Sequence, residues 1–251
     1  MSPEAPPHAG PPAVQKLRIR FAKRGRLRFT SHRDFQRAFE RALRRASVPI
    51  AYSQGFTPHP KVSYAGAAPT GAASEAEYLE ISVTRPCDQA RLTRALDAAL
   101  PPGLDVVEVV EAAGGALADR LQASEWEIIL PGLSPDDVAA AVDLFLASAT
   151  VEVERVTKNG VRTLDPRAAV VRLAVAGGEW NDPPCAIMKV VVRHGTPTVR
   201  PDDVLAGLRR VADLAPPLPP LATRLAQGPL DDRSGTVGDP LEPDREAARP
   251  G

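Results

Sequence analysis

The sequence predicts an α+β fold: two tandem ferredoxin-like (split βαβ) units with disordered N- and C-terminal tails. Three observations carry that expectation. Segments with the two-residue period of a half-buried strand alternate with segments whose apolar residues recur every three or four positions, in the order strand, helix, strand, strand, helix, strand. The pattern starts again after a small, glycine-containing stretch at 112–117. The two ends, 1–15 and 216–251, are proline-rich and aperiodic, the composition of segments that cannot bury enough apolar surface to fold. The expected domains are therefore 16–112 and 124–215, which suits a chain of 251 residues.

The first unit opens with Leu17-Arg18-Ile19-Arg20-Phe21, a strict alternation that turns Arg18 and Arg20 away from the core. Gly25 marks a turn, and Leu27-Arg28-Phe29 resumes the alternation as a hairpin or one bent strand. Ser31 then caps a helix, with Asp34 three residues on as a shortened capping box. Phe35, Ala38, Phe39, Ala42, Leu43 and Ala46 line one side of that helix, while Arg33, Arg37, Arg41 and Arg44 or Arg45 recur on the other. Pro49 stops it. Residues 52–61 (Tyr-Ser-Gln-Gly-Phe-Thr-Pro-His-Pro-Lys) form a stiff aromatic loop, because two prolines bracket His59. Short strands follow at 62–65 and 78–83, a second amphipathic helix at 87–100 and a strand at 104–110.

The second unit repeats the plan with additions. A strand at 126–130 precedes a helix capped by Ser134 with Pro135 in its first turn. Strands at 151–156 and 161–164 flank Asn159-Gly160, a tight-hairpin signal. Further strands are expected at 168–175 and 186–192, and a last helix from Arg200 to about Leu214.

Charge is distributed unevenly. Between Lys16 and Lys61 there are thirteen basic residues and two acids, Asp34 and Glu40, in a chain of formal net charge zero. A local field of that sign calls for a polyanionic partner, with nucleic acid the first candidate. Other classes are excluded. No apolar run approaches the roughly 20 residues of a membrane span, and no secretory signal opens the chain, so a cytoplasmic location away from membranes is expected. The two cysteines, Cys87 and Cys185, are far apart and cannot supply an iron–sulfur cluster or a cysteine-based zinc site. No cofactor and no metal is expected. Glu75, Glu77 and Glu80 with His59 are the weak alternative for a metal, more simply read as solvated acids.

The strings Thr30-Ser31-His32-Arg33-Asp34-Phe35, Glu40 to Ala46, Tyr52 to Lys61 and Ser74 to Leu79 together resemble the radical-SAM-linked domain of unknown function, in its stand-alone form. That family is found fused behind radical SAM enzymes or as a separate protein, encoded near ribonuclease E/G and ribosomal proteins. The resemblance covers roughly residues 16–214 and implies an RNA context. The chain carries no radical SAM cysteine motif, so any such chemistry would come from a partner in trans. Where the family usually has Leu, this chain has Arg33, which adds charge and leaves the cap intact. The arrangement also looks like the tandem folds of CRISPR-repeat-processing endoribonucleases, although Gly177-Gly178 is a poor substitute for their glycine-rich loop.

The expected RNA-binding residues are Arg18, Arg20, Arg37, Arg41, Arg44, Arg45, Gln54, Phe56, His59 and Lys61. The arginines suit phosphates, and Phe56 and Tyr52 suit stacking on unpaired bases, with a core plug under the loop as the other role for Phe56. No catalytic residue is assigned. The alternative is an acid/base pair of His32 and His59, assisted by Tyr52 or Tyr64, that cleaves RNA without metal. The function expected is an RNA-binding protein that presents ribosomal or transfer RNA to a modifying or processing partner, such as a radical SAM enzyme or ribonuclease E/G. The alternatives are that endoribonuclease or a protein–protein adaptor for a radical SAM enzyme.

Overall fold

The computed structural model describes residues 11–157, 160–181 and 184–249. It is an α+β structure that divides into two units, Met1–Asp119 with Pro240–Gly251, and Arg120–Asp239. Residues 1–10 of the expected tail at 1–15 and the turn residues Lys158 and Asn159 lie outside the described residues, as does the side chain of Trp180, while Gln15 belongs to the first strand.

In the first unit the chain forms β1 (Gln15–Lys23), α1 (His32–Arg45), β2 (Val62–Ala65), β3 (Ala73–Val83), α2 (Gln89–Ala99) and β4 (Leu104–Glu111). The strands lie in the order β4-β1-β3-β2, every ladder antiparallel. The alternation of β1 explains its core face. Leu17, Ile19 and Phe21 are buried with Phe35, Phe39 and Leu43 of α1 and Leu92 and Leu96 of α2. Phe21 stacks on Phe35 at 4.3 Å. Each such side chain withdrawn from water contributes about 1.5–3 kcal/mol, which outweighs the modest helix propensity of α1's two phenylalanines.

One local expectation is corrected. Residues 27–29 do not resume a strand: Gly25–Phe29 is a single 3-10 turn. Gly25 takes φ 55°, and Leu27 N–H and Thr30 N–H donate to the carbonyls of Arg24 and Leu27. These local bonds satisfy the backbone that a strand would have offered to a neighbour.

The short helix α3 (Leu117–Arg120) ends at the first residue of the second unit, which runs β5 (Ala123–Pro131), α4 (Pro135–Ala147), β6 (Val153–Thr157), β7 (Gly160–Leu164), α5 (Pro166–Ala169), β8 (Val170–Asn181), β9 (Pro184–Arg193), α6 (Pro201–Ala212) and β10 (Leu221–Gly228). Two-residue strands β11 (Leu230–Asp231) and β12 (Thr236–Val237) pair with each other. The four long strands lie in the order β10-β5-β9-β8, again antiparallel. Among the described residues β6 and β7 pair only with each other, so with α5 they form an insertion after the first helix of the unit. Without that insertion, β5, β8, β9 and β10 hold the same places as β1, β2, β3 and β4. Gly207 of α6 marks a close approach within the unit, because a Cβ there would meet Phe145 at 2.7 Å.

The C-terminal segment is a correction. Residues 216–251 were expected to be disordered, yet they supply β10, the hairpin β11–β12 and the helix α7 (Glu242–Ala247). Arg224 and Gln227 of β10 are buried and bonded to each other at 3.0 Å, and the Arg224 guanidinium lies over the Trp126 ring. The ladder with β5 shifts register between Arg224 and Ala226, which breaks the two-residue period and hides the strand in the sequence.

Candidate nucleic-acid interface

Helix α1 begins where the sequence places it. Ser31 Oγ accepts from the Asp34 N–H at 3.2 Å and donates to the Asp34 carboxylate at 2.7 Å. It ends where Ser47 takes φ 52° and Val48 N–H reaches back to the Leu43 carbonyl. Phe35, Phe39, Ala42 and Leu43 are its buried residues. Arg33, Arg37, Arg41 and Arg44 are exposed and, at 3.6 residues per turn, fall within about 80° of the helix circumference, with Arg45 at the margin. Among the described residues, no carboxylate comes within ion-pair distance of Arg33, Arg41, Arg44 or Arg45. Arg37 has only a 3.9 Å contact with Asp34, both side chains being well exposed.

The basic residues of β1 have another fate, and Arg18 is a third correction. It is fully buried, not exposed to a ligand. Its Nη1 donates to both Asp244 oxygens at 2.7 and 2.9 Å, its Nε to Glu80 at 3.2 Å, and its Nη2 to the carbonyls of Gly114 and Gly115 at 3.0 and 2.6 Å. The alternation does turn Arg18 away from the helices, but α7 covers that face. Arg20 is half-buried, its Nε donating to the Glu75 carbonyl at 2.9 Å. Arg24 is held by Glu75 and by Asp105, at 2.7 Å from the latter. Those carboxylates hold its guanidinium proton more tightly than usual.

The loop at 52–61 is closed by its own backbone. Tyr52 bridges Pro60, Ser53 N–H donates to the His59 carbonyl at 2.8 Å, and His59 N–H donates to Ser53 Oγ at 3.0 Å. Lys61 N–H donates to the Ala51 carbonyl at 2.7 Å, which ties the stem to the rest of the unit. Gly55 takes φ 130°, a conformation a side chain resists. Phe56 is 89% exposed, so it is not a core plug; Tyr52 is 43% exposed. Gln54, His59 and Lys61 are also exposed.

His32 and His59 are not brought together as an acid/base pair: no hydrogen bond or ring contact joins them among the described residues. His32 instead meets the edge of Tyr64 at 5.0 Å and Gln36 at 3.0 Å. Beside them is a small cleft of about 30 Å³ whose walls include Lys23 and Glu77, both buried. Burial, with help from Glu40, pushes the Tyr64 hydroxyl well above its usual range. Lys23 was missed as a residue of this cleft, and Glu77 was considered only as a metal ligand. A signal existed for Lys23, since the parity that sends Leu17, Ile19 and Phe21 inward runs on to it.

The three glutamates of the weak metal alternative are engaged separately. Glu75 holds Arg24, Glu80 holds Lys16 and Arg18, and Glu77 accepts from the Ala68 N–H at 3.2 Å. No group of three or more His, Cys, Asp or Glu side chains placed to hold a metal occurs among the described residues. Cys87 is half-buried and Cys185 buried, both as free thiols. No described helix is long and apolar enough to cross a membrane.

The fold and this surface define an α+β protein with a bare arginine helix beside a stiff aromatic loop. The chain belongs to the family described as "Uncharacterized protein conserved in bacteria (DUF2344)", whose model matches residues 16–201 and so ends before β10. No curated protein matches the sequence. Among solved structures, an unknown protein from Galdieria sulphuraria is similar at 14% identity and a TM-score of 0.25, over 79% of this chain and 92% of that one. A DypB variant from Rhodococcus jostii RHA1 in complex with heme is similar at 12% identity and a TM-score of 0.22, over 80% of this chain and 84% of that one. Scores this low carry no argument about fold or function.

Proposed function

We propose that the protein binds RNA through the exposed face of α1 and the loop at 52–61, and presents structured RNA, ribosomal or transfer, to a modifying or processing partner. The observation that carries this reading is the row of exposed arginines on α1, of which only Arg37 meets a carboxylate among the described residues, Asp34 at 3.9 Å, with Phe56 exposed in the loop that follows. Guanidinium groups at helical spacing suit successive phosphates, and a bare aromatic ring suits an unstacked base. Arg37, Arg41, Arg44, Arg45, Gln54, Phe56, His59 and Lys61 remain the assigned contacts, and Arg33 joins them. The scaffold is read as two split βαβ units, supported by the shared strand order of the two sheets. The resemblance to the radical-SAM-linked domain makes a radical SAM enzyme or ribonuclease E/G the first partner to try.

A filter-binding series from low to moderate salt tests the reading. Six contacts, from Arg33, Arg37, Arg41, Arg44, Arg45 and Lys61, give a log–log slope of about −4 on a single strand. A flat response removes the electrostatic basis. Discrete products from RNA incubated with the protein in EDTA replace binding by nuclease action.

A further inference from the structure

A second basic feature of the first unit lies off the α1 stripe. Between the turn that ends α1 and the start of α2 is a groove of about 500 Å³, whose walls include Ser47, Pro49, Arg85, Cys87, Arg91 and Leu92. Arg85 and Arg91 are exposed, and no carboxylate lies within ion-pair distance of either among the described residues. The acid in the groove wall, Asp88, is engaged: its Oδ1 accepts from the Arg91 N–H at 2.7 Å and caps α2. Val48 and Pro49, both half-buried, give the groove an apolar side. Arg44 and Arg45, in the last turn of α1, lead straight into the turn residues that form its wall.

We propose that this groove holds one nucleotide unit of single-stranded RNA, its phosphate on Arg85 and Arg91 and its base against Val48 and Pro49. This rests on the RNA-binding reading above and adds the class of substrate. The volume suits a single small ligand, within the usual range of about 300–1,000 Å³ for such sites. Charge complementarity selects an anionic one. A base stacked on both faces inside a duplex cannot enter, whereas an unpaired base can, so the groove selects single strands or loops.

Cys87 provides the test, because it lies in the groove wall while Cys185 is buried. Burial pushes the Cys87 thiol up, so alkylation with iodoacetamide is run at mildly alkaline pH and read by mass spectrometry of the full chain, with Cys87→Ser as the control. The probes are a uridine oligomer and an RNA duplex of equal length. The expected result is that the bound oligomer slows alkylation of Cys87, that the bound duplex does not, and that in Arg85→Gln/Arg91→Gln the bound oligomer leaves Cys87 at that variant's own ligand-free rate. The same double variant lowers the salt slope for the oligomer by about 1.4, two single-strand contacts' worth. If the oligomer binds and Cys87 reacts at its free rate, the groove is empty and this inference fails while the α1 reading stands. If neither probe binds at any salt concentration, both fall together. Equal protection by oligomer and duplex overturns the selection of single strands.

Discussion

Two sets of arginines sit on neighbouring elements of the first unit and meet opposite environments. On β1, Arg18 is fully buried and bonded through every nitrogen, and Arg20 is tied to the backbone of β3. On α1, four arginines face water along one stripe, and among the described residues no carboxylate is close enough to neutralise Arg33, Arg41 or Arg44. The difference follows from position. β1 is flanked by β3 and β4, and the ladders set Arg18 opposite Glu80 and Arg20 opposite Glu108. Its neighbours bring carboxylates to it, and α7 adds Asp244. α1 buries one face on the sheet and leaves the other unopposed. Charge density along a chain therefore does not measure how much charge a ligand can reach.

The largest effect comes from breaking the strand set. Asp244→Ala strips the buried Arg18 guanidinium of the carboxylate on its Nη1 and leaves it Glu80, which should cost about 3 kcal/mol in urea denaturation. RNA affinity of the folded fraction should not change. A loss of affinity without a loss of stability would place Arg18 on the ligand side after all.

The reverse outcome is expected for the helix set. Replacing Arg37, Arg41, Arg44 and Arg45 by Gln should lower the salt slope on single strands by about 2.8. Stability should hold or rise slightly, since each relieved i,i+4 repulsion is worth about 0.2–0.5 kcal/mol. Similar folding but unchanged RNA binding would end the distinction between the two sets.

Phe56→Ala is the next largest. It should cost about 1–3 kcal/mol of single-strand affinity and leave the melting temperature alone, because a ring 89% exposed contributes little to the core. A fall in melting temperature would return Phe56 to the role of a plug.

Ser31→Ala sharpens the comparison by loosening α1 itself. Loss of the cap should cost about 1 kcal/mol of stability, read by thermal or urea unfolding. The smallest effect is expected of Arg24→Gln. Its pairs with Glu75 and Asp105 are well exposed, and such pairs are worth about 1 kcal/mol or less.

Particular residues show what could be read in advance. The helix from Ser31, the stripe of arginines and the stiff loop follow from local rules: a cap, a three-to-four-residue period and paired prolines. The cap at Ser134 was legible for the same reason, and Ser134 Oγ accepts from the Asp137 N–H at 3.1 Å. β10 was not legible, because a register shift breaks its alternation and its two buried polar residues, Arg224 and Gln227, look like surface. Asp244 was not legible either, since nothing near it in the chain points to a partner 226 residues away.

By itself the sequence determined where the first helix starts, which side of it carries charge, and that the front of the chain is strongly basic, because each depends on residues within one or two turns of one another. Only the tertiary structure decided which of those charges remain available. That choice depends on carboxylates brought from distant strands and from the C-terminal helix, and a buried guanidinium is tolerated only where such partners converge.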